Sequence, residues 1–330
     1  MLQKLNLEKV ARFREVGLLG FIIILAIVIQ LLNPAFLTMG NIRDLLTNTA
    51  ILSILALGMM LVLITRGIDL SIGATLALSG MITALTVSAF PGLHPLLAIL
   101  LGIVIGAVCG VVLGLLVSKV GILPIIASLG LMNVFRGMTF WASGGEWVSA
   151  YQMPDTFKNI ATSTILGINT LVFVAILIFI FFYYFVNTTI TGRQIYAVGS
   201  DPDSAKVSGI NQTKILMIVY TMMGGLSGLA GVLWVSKYAS AQGDTASGYE
   251  LTVIAACILG GVSIAGGVGK VTGVLLGAIL LGVLSNGLPL INVSPFWQMG
   301  IEGFIILIAV LFNTNIREFI ERSHRLRREI

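Results

Sequence analysis

The chain has 330 residues, of which 57% are hydrophobic and only 10% charged, with a mean hydropathy of +1.03 and a formal net charge of +5. So few charges cannot coat the water-exposed surface of a chain this long, which excludes a soluble globular protein and points to a polytopic membrane protein. The basic balance then needs no nucleic acid to explain it, and the polar joints between apolar runs are too short for a separate catalytic domain.

The first sixteen residues carry Lys4, Lys9, Arg12 and Arg14 ahead of the apolar run 17–32. This resembles a secretory leader, but no small-residue cleavage site follows and Asn33-Pro34-Ala35-Phe36 leads straight on, so a retained first span is predicted. Further spans are predicted at about 45–65, 68–90, 95–117, 122–141, 165–186, 212–236, 250–265, 268–288 and 296–313. The expected fold is an all-α membrane protein, one polytopic bundle of about ten transmembrane helices over 1–330. Started from the inside, this arrangement leaves only Arg43, Arg136, Lys158 and Lys237 outside or near the outer face. The other fifteen of the nineteen Lys and Arg residues fall inside, in 1–16, the joint 187–213, the tail 314–330 and shorter turns. That asymmetry predicts both termini in the cytoplasm and a tail held near anionic lipid.

Between the second and third spans stands Leu63-Ile64-Thr65-Arg66-Gly67-Ile68-Asp69-Leu70-Ser71-Ile72-Gly73. A charge between two apolar runs is costly in hydrocarbon, so it faces protein or water, and the glycines permit a broken helix whose freed backbone groups must be satisfied there. Thr65, Arg66, Gly67, Asp69, Ser71 and Gly73 are therefore candidates for a pathway or gate; the plain alternative is a tight turn between spans. Arg66 and Asp69 are three apart, the spacing at which they would face each other on a helix and compensate.

In the fourth span Gly102, Gly106, Gly110 and Gly114 recur every four residues, a spacing repeated at Gly224/Gly228 and Gly273/Gly277 and suited to close backbone approach. The outer segment 142–164 and its neighbour Trp141 add Trp147 and Tyr151, an interfacial anchor or a docking rim. In the long inner joint, Ser200 or Asp201 can cap a short polar helix starting at Pro202, and Gly209 can end it, which suits a partner-docking helix. A weak echo of the first break follows at Leu259-Gly260-Gly261-Val262-Ser263-Ile264-Ala265-Gly266-Gly267, making Gly260 and Gly261 further pathway candidates, with Glu302 a second acid inside a span.

Enzyme chemistry is hard to find. Cys109 and Cys257 sit in different apolar spans, and His94 and His324 are too few for a zinc site or a triad, so neither metal nor cofactor is expected. Gly266-Gly267-Val268-Gly269-Lys270-Val271 approaches a phosphate loop but has Ile264 in place of the first glycine and Val271 in place of Ser or Thr. Any nucleoside triphosphate must bind another subunit.

Several motifs together resemble a known family: Asn33-Pro34-Ala35-Phe36-Leu37-Thr38, Gly67-Ile68-Asp69-Leu70-Ser71-Ile72-Gly73, the joint 199–210, Ser240-Ala241-Gln242 with Gly248-Tyr249-Glu250-Leu251, Leu259-Gly260-Gly261, and Val293-Ser294-Pro295-Phe296-Trp297-Gln298. The chain resembles the permease subunits of bacterial ABC importers for simple sugars, the ribose, xylose, arabinose, rhamnose and autoinducer-2 group. In the joint, Ser200-Asp201 and Ser204-Ala205-Lys206 depart from the Asn-rich, double-alanine form expected there. The resemblance implies a multi-pass protein of the bacterial inner or plasma membrane, not itself an enzyme. It further implies two permease copies, identical or related, and ABC ATPase subunits docked below at Gly199, Ser200, Asp201, Pro202, Ala205, Ser208 and Gly209. An extracytoplasmic sugar-binding protein would deliver cargo above. Two other readings stand beside it: an importer of branched-chain amino acids or nucleosides, and an ion-coupled secondary transporter using Asp69 and Glu302.

Overall fold

The computed structural model describes residues 2–294 together with 296–298, 300, 301, 303, 304 and 307, with backbone alone for 2–14. Its helices are α1 (Leu2–Leu32), α2 (Met39–Ile64), α3 (Ile72–Ala89), α4 (Pro95–Leu115, extended by the π-turn Leu116–Val120), α5 (Pro124–Ser143), α6 (Asp155–Thr162), α7 (Thr170–Thr188), α8 (Ile190–Ser200), α9 (Pro202–Val207), α10 (Gln212–Tyr238), α11 (Tyr249–Leu259) and α12 (Val271–Leu290). Among the described residues eight of them, α1 to α5, α7, α10 and α12, are long and apolar enough to cross a membrane. Their starts follow local chemistry: Thr38, His94, Asn169 and Asn211 each accept a backbone N–H of the helix they precede, and proline opens α4 and α5.

One of the ten predicted spans differs, and one is not described. The eighth is α11, whose eleven residues reach only about 16 Å and cannot cross hydrocarbon alone. It is preceded by the irregular, turn-rich segment 239–248. The last, 296–313, falls largely outside the described residues, as do Glu302 and the tail 314–330.

The bundle has two ends, the joint end carrying α8 and α9 and the far end carrying the small hairpin 164–169. Chain order and packing reveal an internal repeat of opposite direction. The unit α2, break 65–71, α3, turn, α4 is matched by α10, break 239–248, α11, turn, α12; α3 and α4 pack on α10, while α11 and α12 pack on α2. α2 runs towards the joint end and α10 away from it, with Lys237 at the end of α10 bonded to Asn48 near the start of α2. Inverted repeats with broken helices place a crossing point near mid-bundle. The partner of the first break is therefore 239–248; the predicted echo at 259–267 belongs to the turn between α11 and α12, where Gly261 takes the left-handed conformation.

The glycine faces do what their spacing predicts. A Cβ on Gly106 would fall on the Gly224 carbonyl and within 2.6 Å of the Gly228 backbone, so α4 and α10 cross with their main chains in contact. Gly273 meets Gly260 in the same way, so Gly260 is a packing position between α11 and α12. The core centres on α2, buried from Thr49 to Thr65, and on the fully buried Tyr220 of α10.

Candidate functional site

The joint begins with α8, a three-turn helix that its mixed polar sequence did not announce. Asp201 then caps α9 as predicted, its Oδ1 accepting Asp203 N at 3.0 Å and Ser204 N at 3.1 Å while Oδ2 accepts Ser204 Oγ at 2.9 Å. At the other end Gly209 has φ +78°, Gly209 N donates to Lys206 O and Ile210 N to Ala205 O, which is a complete Schellman stop. The backbone and side-chain hydrogen bonds of Ser204, with Arg66 at longer range, hold the Asp201 carboxyl below the usual carboxylate value. A lowered folded-state pKa contributes stability fully present above the unfolded value, near 4, and lost as pH falls through the folded one. Amide hydrogen exchange across 203–208 is thus expected to quicken below about pH 4 in the wild type. In Asp201→Asn, which keeps the cap, it is expected to carry no such step.

Not every predicted docking residue faces outward. Gly199 is buried, and a Cβ there would sit 2.8 Å from the carbonyl carbon of Ile64, so its smallness lets α8 pack on the end of α2. Ala205 is buried at the inner side of α9 because the Schellman stop folds Ile210 under it. Neither presents itself to a partner. The exposed face of the joint is Ser200, Asp201, Asp203, Ser204, Lys206, Ser208 and Gly209, with Val207 at its tip, 91% exposed. An isolated valine next to a lysine gave no sequence signal; only its exposure marks it.

The first break is tied directly to this joint. α2 ends in a Schellman turn in which the left-handed residue is Arg66, φ +64°, where glycine is usual. Its side chain compensates: Nε donates to Gly199 O at 2.7 Å and one terminal nitrogen to Ser200 O at 2.6 Å. Gly267 N donates to Ile64 O at 2.9 Å, and Tyr196 Oη to Gly269 O at 2.7 Å. The chain thus uses its would-be phosphate loop to satisfy the end of α2. The expected Arg66–Asp69 pair does not form, because the backbone between them is not helical and Arg66 turns towards the joint.

Asp69 is buried and closes an Asx turn, its Oδ1 accepting Ser71 N at 2.8 Å and Ser71 Oγ at 2.6 Å. Thr65 bonds back to Leu61 and Val62, and the Ile68 carbonyl accepts Ser128 Oγ of α5. Gly67 lies against the hydroxyl of Tyr220, which has no hydrogen-bond partner among the described residues. Gly73 opens α3 beside the second break, where a Cβ would stand 2.5 Å from Ala246 O and 2.9 Å from Glu250 Oε2. Two turns of α5 towards the far end from Ser128, Arg136 donates to Gly243 O at 2.9 Å and Thr245 O at 2.7 Å. Counted with the outer charges by sequence, it lies seven residues, about 10 Å, inside the end of α5. A line of contacts therefore runs from the end of α8, which leads into α9, through Arg66 and the first break to the second break and Arg136. Asp69→Ala, which opens the Asx turn, is expected to lower initial uptake per molecule more than it lowers the amount of chain in the membrane. Immunoblot-normalised uptake checks this, and an unchanged value would make the turn purely structural.

A polytopic bundle with two opposed broken helices and a protruding capped helix is the build of a membrane permease. The chain belongs to the permease family described as the branched-chain amino acid transport system permease component, whose model matches residues 41–310. It is 42% identical over 290 residues to the ribose import permease of Bacillus subtilis (strain 168), covering 88% of this chain and 89% of that one. It is 39% identical over 297 residues to the ribose import permease of Escherichia coli (strain K12), covering 89% and 92%. The autoinducer 2 import system permease of Enterobacter sp. (strain 638) is 32% identical over 308 residues, covering 93% and 89%. No solved structure matches.

Proposed function

We propose that this chain is the transmembrane subunit of an ATP-driven importer that carries a monosaccharide or related small polyol, ribose-like, rhamnose-like or autoinducer-2-like, by alternating access. The observation that carries the reading is similarity over 88 to 93% of the chain to import permeases named for ribose, arabinose and autoinducer 2, joined to a protruding capped helix that follows directly on the α8 end bonded to a helix break. In this reading the joint end is cytoplasmic, with both termini. ABC ATPase subunits press on the exposed face of α9, a second permease copy completes the membrane core, and a sugar-binding protein docks at the far end. Movement of α9 pulls on Arg66 and so on the first break, which abuts the second at Gly73 and Ala246. A pathway that must release its cargo needs little affinity, so the purified chain alone is expected to bind free sugar weakly or not at all.

The test is reconstitution in liposomes with the cognate ATPase and binding protein, following labelled sugar. ATP-dependent sugar uptake supports the reading. Uptake of a branched-chain amino acid or nucleoside in place of sugar would move the chain to the other importer class, and ion-driven uptake without any ATPase would overturn it.

A further inference from the structure

Three helices, α1, α4 and α7, leave most of their surface uncovered among the described residues and are strongly apolar, as lipid contact requires. α5 is as uncovered as α7, yet its mean hydropathy of 1.3 is the lowest of the eight candidate spans. Its open face carries Ile126, Gly130, Asn133, Gly137 and Trp141, which recur at helical spacing. Arg136 stands at the edge of that face, three residues from Asn133 and so its neighbour on the helix surface.

Both side chains have unused hydrogen-bonding capacity. Among the described residues the guanidinium bonds through Nη1 alone, leaving Nε and the second terminal nitrogen of its five-donor fork without a partner. Asp244 and Glu250 are its neighbouring acids, and neither forms an ion pair with it. Among the described residues Asn133 donates only to Leu129 O one turn back, at 3.1 Å, and its carbonyl oxygen accepts nothing. A cation inside a span faces a wet cavity or another polar group, not lipid.

We infer that Arg136 and Asn133 form a hydroxyl-binding station for the cargo on the open face of α5, rather than a contact with lipid. The guanidinium supplies three N–H donors on two nitrogens, and the amide a donor and an acceptor. That set matches a vicinal pair of sugar hydroxyls, each of which both gives and takes a hydrogen bond. A neutral polyol held by so few bonds leaves easily, which a transport station needs. Because Nη1 is fixed on the second break, the free donors move with it, so the station is presented or withdrawn as the breaks shift. The inference rests on the sugar-importer reading above.

The experiment places a thiol on the open face with Gly137→Cys, one turn from Asn133 and with open space around its Cβ, in the complete importer in liposomes; Cys109 and Cys257 are buried, so background labelling of this chain is low. A water-soluble, membrane-impermeant thiol reagent is expected to label this variant and not Val108→Cys on the uncovered apolar face of α4. Ribose delivered by its binding protein with ATP is expected to slow the labelling about tenfold, the scale of a lost or gained charge-assisted contact. Arg136→Lys, which keeps the charge and loses the fork, is expected to lower uptake about tenfold with an unchanged melting temperature. A Gly137→Cys chain that the reagent does not reach, as when lipid or a second copy covers the face, overturns the station. So does labelling that sugar leaves unchanged while the wild type imports sugar. Wild-type liposomes that import no sugar would instead overturn the parent reading.

Discussion

A Gly106→Leu chain is expected not to accumulate in the membrane as a folded bundle. The first added carbon already meets the Gly224 carbonyl and the Gly228 backbone, and these are main-chain atoms of α10 that no rotamer change can move aside. Overpacking a core usually costs about 1 to 3 kcal/mol because side chains and backbone give a little. Here the whole α4–α10 crossing must open, and α3, also packed on α10, would lose its seat with it. Against a net stability of roughly 5 to 15 kcal/mol that is decisive. Gly137→Leu is the control, since nothing lies within 4 Å of the Cβ it adds. Fluorescence-detected size exclusion of detergent extracts is expected to show a monodisperse peak for Gly137→Leu and an aggregated or absent one for Gly106→Leu. Equal peaks would mean that the glycine seam is not the main support of the bundle.

Val207→Asp is expected to lower both stimulated ATP hydrolysis and transport while leaving the bundle intact. Val207 is the most exposed apolar side chain of the joint, at the tip of a helix that both its caps hold rigid, so it is the part a partner would bury. Burying a carboxylate in its place without a counter-charge costs several kcal/mol at an interface, enough to lower stimulated hydrolysis and uptake at least about tenfold. Gly209→Trp is expected to act in the same direction, although the left-handed φ there adds a strain of its own. Ala205→Trp should behave differently, reducing the yield of folded chain, because that residue points into the molecule. In the reconstituted complex, normal uptake by both Val207→Asp and Gly209→Trp would show that the ATPase engages elsewhere. It would leave the fold untouched.

Much of this protein is legible in its sequence because the signals are local or compositional. Hydropathy finds the spans since each must be long enough to cross hydrocarbon, Asp201, Pro202 and Gly209 punctuate α9 through their own backbone preferences, and glycines every four residues announce a close helix crossing. The similarity to import permeases extends over nearly the same length. What the sequence could not supply is direction and partnership across the chain. Arg66 lies three residues from Asp69 yet bonds to Gly199 and Ser200 more than 130 positions away, since the turn at the end of α2 puts it in the left-handed conformation and swings its side chain towards the joint. Gly199 and Ala205 look like surface residues in a polar stretch, and only packing on α2 and the Schellman stop turn them inward. The half-length α11 and the pairing of 65–71 with 239–248 likewise emerge only when α3 and α4 settle on α10 and α11 and α12 on α2. Local chemistry therefore determined the elements and their ends, while the inverted packing, which joins residues remote in sequence, decided which polar groups face one another.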